Sequence, residues 1–244
     1  MKISVVIPAL NEEATVGDVV RVAATAQPWE ILVIDSDSTD ATAIEARRAG
    51  ARVLNWKEPV ALPPRVGKGE ALWRGVAAAT GDVIVFLDAD LTEIAPTIVT
   101  DLSAPLRDPD IHLVKAAYQR AFASSPSGGG RVTELTAKPL LRAVFPELTR
   151  ITQPLGGEYA IRADTARSLP FVDGYGVEVG LLIDVARLHG SAAIAEVNVG
   201  RRAHRNRPLE ELAPMADVVA ETILSRAGVV KPRVGERPAL KSLS

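Results

Sequence analysis

The chain of 244 residues is 47% hydrophobic and 24% charged, and its 28 Lys+Arg against 30 Asp+Glu leave a net charge of -2. Such a chain can build one large α/β domain, or one domain with an appended lobe, and it carries no global field to recruit nucleic acid or a membrane surface, so any anion site must be local. It contains no cysteine, which excludes disulfides, thiolate catalysis and cysteine-type zinc sites and fits a reducing cytoplasm.

The first apolar run is short, breaks at Pro8 and meets Asn11, Glu12 and Glu13, a pattern wrong for a secretory signal. No apolar stretch approaches the ~20 residues of a membrane-spanning helix. Residues 3–7 form a mostly β-branched run that predicts a strand, and Val16, Val19, Val20 and Ala23 recur at helical spacing within residues 12–26. The unit repeats: a strand over 30–34 ends at the polar turn 35–40, where Thr39 or Asp40 can cap a helix running toward Arg48. A third strand is predicted over 52–54. Residues 58–69 hold Pro59, Pro63, Pro64, Gly67 and Gly69, an irregular loop of a length that is usually functional. A helix is predicted over 70–79 with Gly81 placed to end it, then a strand over 83–87 of the fully apolar kind that is buried on both faces.

The second half is less regular. It predicts a strand over 112–118, a Ser/Pro/Gly loop over 124–130, a helix over 132–144 and a turn-rich stretch through Gly156 and Gly157. A helix over 177–188, a strand over 192–199 and a closing helix over 209–226 follow, while residues 231–244 lack apolar periodicity and are expected to be a flexible tail. Alternating strands and helices imply a mostly parallel, Rossmann-like sheet flanked by helices, with ligands outside the carboxyl ends of the strands. Residues 8–12, Asp35-Ser36 and Asp88-Ala89-Asp90 are thereby aimed at one crevice.

Asp88 and Asp90, one residue apart after a buried strand, can bind a divalent cation that neutralises phosphate oxygens; alone, either serves equally well as a turn or helix cap. His204 lies among Arg201, Arg202, Arg205, Asn206 and Arg207, a segment suited to a polyanion, although Arg205 and Arg207 read as a solvated basic turn. Gly67-Lys68-Gly69 lacks the glycine spacing and following Ser/Thr of a Walker loop. Its lysine can still meet a phosphate closely, or simply sit in a helix-start loop. The glycine run 128–130 before Arg131 and Thr133 exposes N–H groups at a helix start, fit for an anionic acceptor or for a plain linker. Glu178, near another helix start, can take sugar hydroxyls or interact with the helix dipole.

Together these segments, with Gln153 through Tyr159 and Gly174 through Gly180, resemble the glucosyl-3-phosphoglycerate synthase family of actinobacteria, from about Ile3 to Val229. The resemblance implies an α/β fold of the GT-A type, with residues 1–120 as the nucleotide-sugar half and 121–230 as a less regular acceptor-binding half of the same domain. It implies that Pro8, Ala9, Leu10, Glu12 and Ser36 hold the uridine, with Lys68 and Asp88 also on the donor. Asp90 and His204 would ligate Mg2+ or Mn2+, and Leu155, Glu178 and Arg202 would position the glucose. Gly130, Arg131, Thr133 and Asn206 would hold 3-phosphoglycerate.

The implied reaction moves glucose from UDP-glucose to the acceptor's 2-hydroxyl with retention, in a cytoplasmic enzyme compatible with a homodimer. Lys68 and Glu178 are the catalytic candidates, and the reaction needs no protein nucleophile. The alternatives are another donor such as GDP-mannose, with phosphoglycerate or glycerate as acceptor, or a catalytically silent nucleotide-sugar sensor. The family's N-terminal extension and longer C-terminal tail have no counterpart here, Asp37 stands where glycine is common, and Ala89 where serine is frequent. None of these changes removes a metal-binding group.

Overall fold

The computed structural model describes residues 1–121, 130–203 and 209–243. In chain order the strands are β1 (Ile3–Ala9), β2 (Glu30–Asp35), β3 (Arg52–Asn55), β4 (Val83–Phe86), β5 (Leu113–Ala121), β6 (Tyr159–Arg162), β7 (Phe171–Val172), β8 (Ile194–Ala203) and β9 (Glu236–Arg237). The helices are α1 (Val16–Ala24), α2 (Thr42–Arg48), α3 (Lys68–Ala78), α4 (Ile98–Ser103), α5 (Lys138–Val144), α6 (Ala163–Ser168), α7 (Val177–His189) and α8 (Leu209–Arg226). Seven strands form one sheet in the order β3-β2-β1-β4-β6-β5-β8, which runs across both halves of the chain. It is parallel except for β6, which lies antiparallel between β4 and β5.

Strand alternation sorts the core. Val5, Ile7, Val33 and Val85 point to one face and pack with Val16 and Val19 of α1 and Ile98 and Leu102 of α4. Val6, Leu32, Ile34, Ile84 and Phe86 point to the other and pack with Trp73 of α3 and Leu181 and Leu182 of α7. Both faces are therefore covered, which is why the inner strands read as unbroken apolar runs.

Several expectations are corrected in detail. Ala41, not Thr39 or Asp40, sits at the N-cap of α2, and the Asp40 carboxylate instead accepts the Thr42 N–H at 2.9 Å. Gly81 does not end α3, whose last residue is Ala78. A side chain at Gly81 would come within 2.8 Å of the Lys2 carbonyl oxygen, so glycine there allows the chain to approach the start of β1. The helix expected over 132–144 begins as a π-helical turn, Thr133–Ala137, before α5. The short elements α4, β6, α6 and β7 had no periodicity long enough to announce them.

The largest correction concerns the segment expected to be a loose tail. Residues 236–237 pair antiparallel with β7, and Arg237 is buried with two nitrogens on the Glu70 carboxylate at 2.6 and 2.9 Å. Glu70 also accepts from Arg74 at 2.6 Å, and Arg74 in turn donates to the carbonyls of Trp56, Val60 and Leu62. Trp73 Nε1 donates to the Pro238 carbonyl at 3.0 Å. The proline-rich loop before α3 and the C-terminal segment are thus held by one buried carboxylate with two guanidinium groups. Such contacts leave no mark in hydrophobic periodicity because they are polar.

Desolvation pushes the Glu70 carboxyl up, but hydrogen bonds from Arg237 and Arg74 outweigh it and hold the pKa below its usual value. We predict that Arg237→Met lowers stability by about 3–5 kcal/mol at neutral pH by leaving a buried charge half-compensated. A carboxylate with a depressed folded pKa stabilises above its unfolded pKa and loses that contribution as pH falls. The gap between variant and wild type should therefore narrow below about pH 4, as measured by urea unfolding at several pH values.

Candidate active site

At the carboxyl end of β1 the chain turns through Leu10, which is 56% exposed, and Asn11, whose φ of 56° is left-handed. This turn is sewn to the loop after β2. Ser36 N–H donates to the Ala9 carbonyl at 2.9 Å, Thr39 N–H to Asn11 Oδ1 at 2.9 Å, and Glu12 N–H to Thr42 Oγ1 at 2.7 Å. The two loops make one shelf that carries Pro8, Ala9, Leu10, Glu12 and Ser36. Asp37 also has a left-handed φ, 63°, a conformation that favours glycine and that aspartate tolerates better than most residues. Its carboxylate is used: Lys57 at 2.6 Å, Asn55 at 2.8 Å and Trp56 at 3.1 Å hold it, lowering its pKa to about 2.

Beside the shelf lies a charge cluster in which Lys68 and Asp88 are half-buried and Glu178 is buried. Lys68, the first residue of α3, places Nζ at 2.6 Å from Asp88 Oδ1 and 2.7 Å from Glu178 Oε1. Asp88 follows β4, and Glu178, only 3% exposed, lies in the first turn of α7. Gly67 makes this meeting possible: its φ is 127°, and a side chain there would come within 2.6 Å of the Gly174 nitrogen. Burial is the largest single influence on Lys68 and pulls its pKa down, but the charges of Asp88 and Glu178 prevail and hold it well above the ordinary value. The ammonium therefore stays charged, and so available to a phosphate.

Two further groups, to which the sequence reading gave no role in the site, underlie the cluster. Lys115, 1% exposed in β5, donates to the Gly156 carbonyl at 2.6 Å and stands 4.7 Å from the centre of the Tyr159 ring. Burial lowers its pKa to about 8, against the opposing pull of Glu178 and Glu158. A lysine at an inward position of an otherwise apolar strand was the available signal, since lysine is almost never fully buried without a partner. Gly157 is the second: a side chain there would meet Asp88 Oδ2 at 2.2 Å, so the carboxylate lies directly against glycine backbone. The turn that supplies Gly156 and Gly157 also carries the half-buried Leu155.

Of the residues expected to bind the acceptor, Gly130 has a φ of 76° and leads into Arg131, which is half-buried, and Thr133, which is 2% exposed and opens the π-helical turn. Arg202 lies on β8, in register with Arg120 of β5. His204, Asn206 and residues 122–129 lie outside the described residues. Asp90 is exposed, just beyond β4. Among the described residues no three His, Cys, Asp or Glu side chains gather as a metal site. The hard oxygens of Asp90 suit Mg2+ or Mn2+, and an imidazole beside them is more natural for Mn2+. No described helix is long and apolar enough to cross a membrane.

The model of glycosyl transferase family 2 matches residues 4–145. Glucosyl-3-phosphoglycerate synthase of Mycolicibacterium smegmatis is 50% identical over 245 residues, spanning 96% of this chain and 80% of that protein. The synthase of the same description from Petrotoga mobilis is 43% identical over 93% of this chain and 73% of its own length. The crystal structure of glucosyl-3-phosphoglycerate synthase from Mycobacterium tuberculosis in complex with Mn2+, UDP-glucose and phosphoglyceric acid superposes with a TM-score of 0.91 and 46% identity, covering 100% of this chain and 91% of that one. A structure of the same enzyme with Mg2+ and UDP gives a TM-score of 0.91 at 45% identity, covering 100% and 92%.

A methyl group at position 157 would displace the Asp88 carboxylate from its seat and from Lys68. We expect Gly157→Ala to weaken UDP binding in calorimetric titration by about tenfold or more, while thermal unfolding still reports a folded protein.

Proposed function

The chain belongs to glycosyl transferase family 2, and within it to the glucosyl-3-phosphoglycerate synthases; from that membership we propose that it moves glucose from UDP-glucose to the 2-hydroxyl of 3-phosphoglycerate and releases UDP. It is a metal-dependent hexosyltransferase of the GT-A fold. The observation that carries the reading is the meeting of Lys68, Asp88 and Glu178 beside the shelf at the carboxyl ends of β1 and β2. UDP-glucose is favoured over GDP-mannose by the relatives whose structures hold it with phosphoglyceric acid. The full complement of candidate groups speaks for turnover rather than mere sensing.

In this proposal Pro8, Ala9, Leu10, Glu12 and Ser36 cradle the uridine. Lys68 and Asp88 stand at the diphosphate end, Leu155, Glu178 and Arg202 orient the glucose, and Gly130, Arg131, Thr133 and Asn206 bind the phosphorylated acceptor. Asp90 and His204 hold a divalent cation, which supplies charge neutralisation at the diphosphate. The Lys68 ammonium, kept protonated by its carboxylates, offsets the negative charge that grows on the departing UDP. Glu178, buried in the first turn of α7, accepts hydrogen bonds from sugar hydroxyls. The bond from the anomeric carbon to the leaving phosphate oxygen breaks as the acceptor oxygen bonds from the same face, and the acceptor's proton passes to the leaving phosphate. The anomer is retained without a protein nucleophile. The cysteine-free chain fits a cytoplasmic enzyme.

UDP release from UDP-glucose should require both 3-phosphoglycerate and added Mg2+ or Mn2+, and chelation should abolish it. Asp90→Ala should lower kcat/KM by about a hundredfold or more. Nucleotide-sugar binding by the wild type without any product would instead favour a sensor. Mass spectrometry of the enzyme quenched during turnover should show no glucosyl adduct, and an adduct on Glu178 would overturn same-face attack.

A further inference from the structure

Lys115 is the last residue of β5 in register with β6, where it stands opposite Tyr159. Leu113 packs in the core on the side of α3 and α7, and Val114 in the core on the side of α1 and α4. Strand alternation therefore turns Lys115 to the side of α3 and α7. There it is 1% exposed, with Nζ 4.7 Å from the centre of the Tyr159 ring, and it donates past the start of β6 to the Gly156 carbonyl at 2.6 Å. Burial lowers its pKa to about 8; Glu178 of α7, Glu158 beside β6 and Asp88 after β4 pull it back up, and Lys68 of α3 pushes it further down. An ammonium whose folded pKa lies below its unfolded value costs the fold stability at neutral pH, and the cost is relieved only as pH rises through about 8 toward the unfolded pKa. Lysine is almost never fully buried without a partner, so one kept on these terms calls for a task beyond filling space.

The carbonyl that it holds belongs to the peptide joining Gly156 to Gly157. That unit is planar, so fixing its oxygen fixes the direction in which the chain enters Gly157. Two adjacent glycines would otherwise leave the backbone wide freedom. A side chain at Gly157 would meet Asp88 Oδ2 at 2.2 Å, so the backbone there is the floor on which the carboxylate rests. The other oxygen of that carboxylate, Oδ1, pairs with Lys68 Nζ at 2.6 Å, and the same ammonium pairs with Glu178 at 2.7 Å. Backbone bonds tie the turn down on either side of the peptide: Gly156 N–H donates to the Gln153 carbonyl at 3.1 Å, and Ala116 N–H to the Glu158 carbonyl at 3.1 Å. The chain of contacts from Lys115 to Lys68 is thus continuous.

We propose that Lys115 is a positioning residue: its bond to the Gly156 carbonyl sets the Gly157 backbone beneath Asp88, and through Asp88 it sets the place of the Lys68 ammonium that meets the diphosphate of the nucleotide-sugar. The proposal rests on the reading of Lys68 and Asp88 as donor-side groups. Lys115 acts through the turn, and no bond of the substrate is made or broken by it. The same turn carries Leu155, so losing the pin disturbs the groups assigned to the donor together. Arg131 and Thr133, assigned to the acceptor, lie on a separate segment before α5.

Lys115→Met removes the donor and keeps an unbranched apolar stem. Its Kd for UDP with Mg2+, read by calorimetry, should rise about tenfold or more, and kcat/KM for UDP-glucose should fall by a similar factor, with KM for 3-phosphoglycerate within about twofold of wild type. A kcat/KM for UDP-glucose within about twofold of wild type would overturn the proposal, as would equal rises in both KM values, the mark of a generally loosened fold. The chain has no cysteine, so Lys115→Cys can be alkylated while unfolded with bromoethylamine: the thiolate takes up the aminoethyl group, bromide leaves, and an ammonium of lysine length is restored. After refolding, the alkylated variant should regain at least about half of the wild-type kcat/KM, and the unalkylated one should match Lys115→Met. No recovery, with wild type refolding fully after the same treatment, would sink the idea. Wild type alone gives a further readout: kcat/KM for UDP-glucose should decline several-fold as pH rises through about 8, where the bond to Gly156 loses its charge assistance. Lys115→Met should lack that decline, and a flat wild-type profile would count against the pin. Failure of wild type to transfer glucose would instead overturn the parent reading.

Discussion

One ammonium holds the proposed donor side of this protein together. Lys68 belongs to the first turn of α3, Asp88 to the end of β4 and Glu178 to the first turn of α7, and no local preference would bring these three pieces of chain to one point. Two carboxylates so close would repel in the absence of a cation between them. The ion pair thus serves the fold and the chemistry together: it neutralises the cluster, and it stores a protonated amine where a phosphate would enter. A cation at a buried site is costly unless paired and hydrogen-bonded, and here the pairing residues are themselves the candidates for handling the donor.

The position of Lys68 depends on a second polar knot two residues along the same helix. Glu70, with Arg74 and Arg237, fixes the first turns of α3 against the loop through Trp56, Val60 and Leu62 and against the segment after α8. Arg226 extends the same wall, reaching Asp184 of α7 at 2.9 Å and Glu236 at 2.7 Å. Both helices that carry the site, α3 and α7, are therefore tethered to the strand pair β7–β9. Guanidinium groups suit this task because their planar fork can satisfy a carboxylate and several carbonyls at once.

Hydrophobic pattern carried the parallel strands and the long helices into view, since Val5, Val6 and Ile7 or Val83 through Phe86 have one sensible environment. The acidic pair after β4 and the lysine after the proline-rich loop were legible as phosphate chemistry, and the structure brings Lys68, Asp88 and Glu178 into contact. What stayed hidden has a physical cause. β6 is short and lies in turn-rich sequence, so its antiparallel insertion could not be read from periodicity. Tyr159 acquires meaning only through its register with Phe86 and Lys115, and Gly157 only through the approach of the Asp88 carboxylate. Arg237, in a segment of low apolar content, looked solvent-bound because the partner that buries it is far away in the chain. His204 and Asn206, central to the resemblance, lie outside the described residues, so their part in the site is proposed.

The bond between Glu70 and Arg237 spans 167 residues, and that distance sets an order of events during synthesis. At about 5–20 residues per second, the helix bearing Lys68 would emerge from a ribosome roughly ten to thirty seconds before the arginine that completes its support. During that interval the strands β1 to β4 can already pair, while a nascent Glu70 has only Arg74 to answer its charge. The shelf at the carboxyl ends of β1 and β2 can thus form early, but the helix that delivers the lysine is locked only once Arg237 has emerged. A nascent chain halted before Arg237 would carry most of the donor site's residues without its keystone, and a folding factor would meet it as an almost finished domain with one buried charge still waiting.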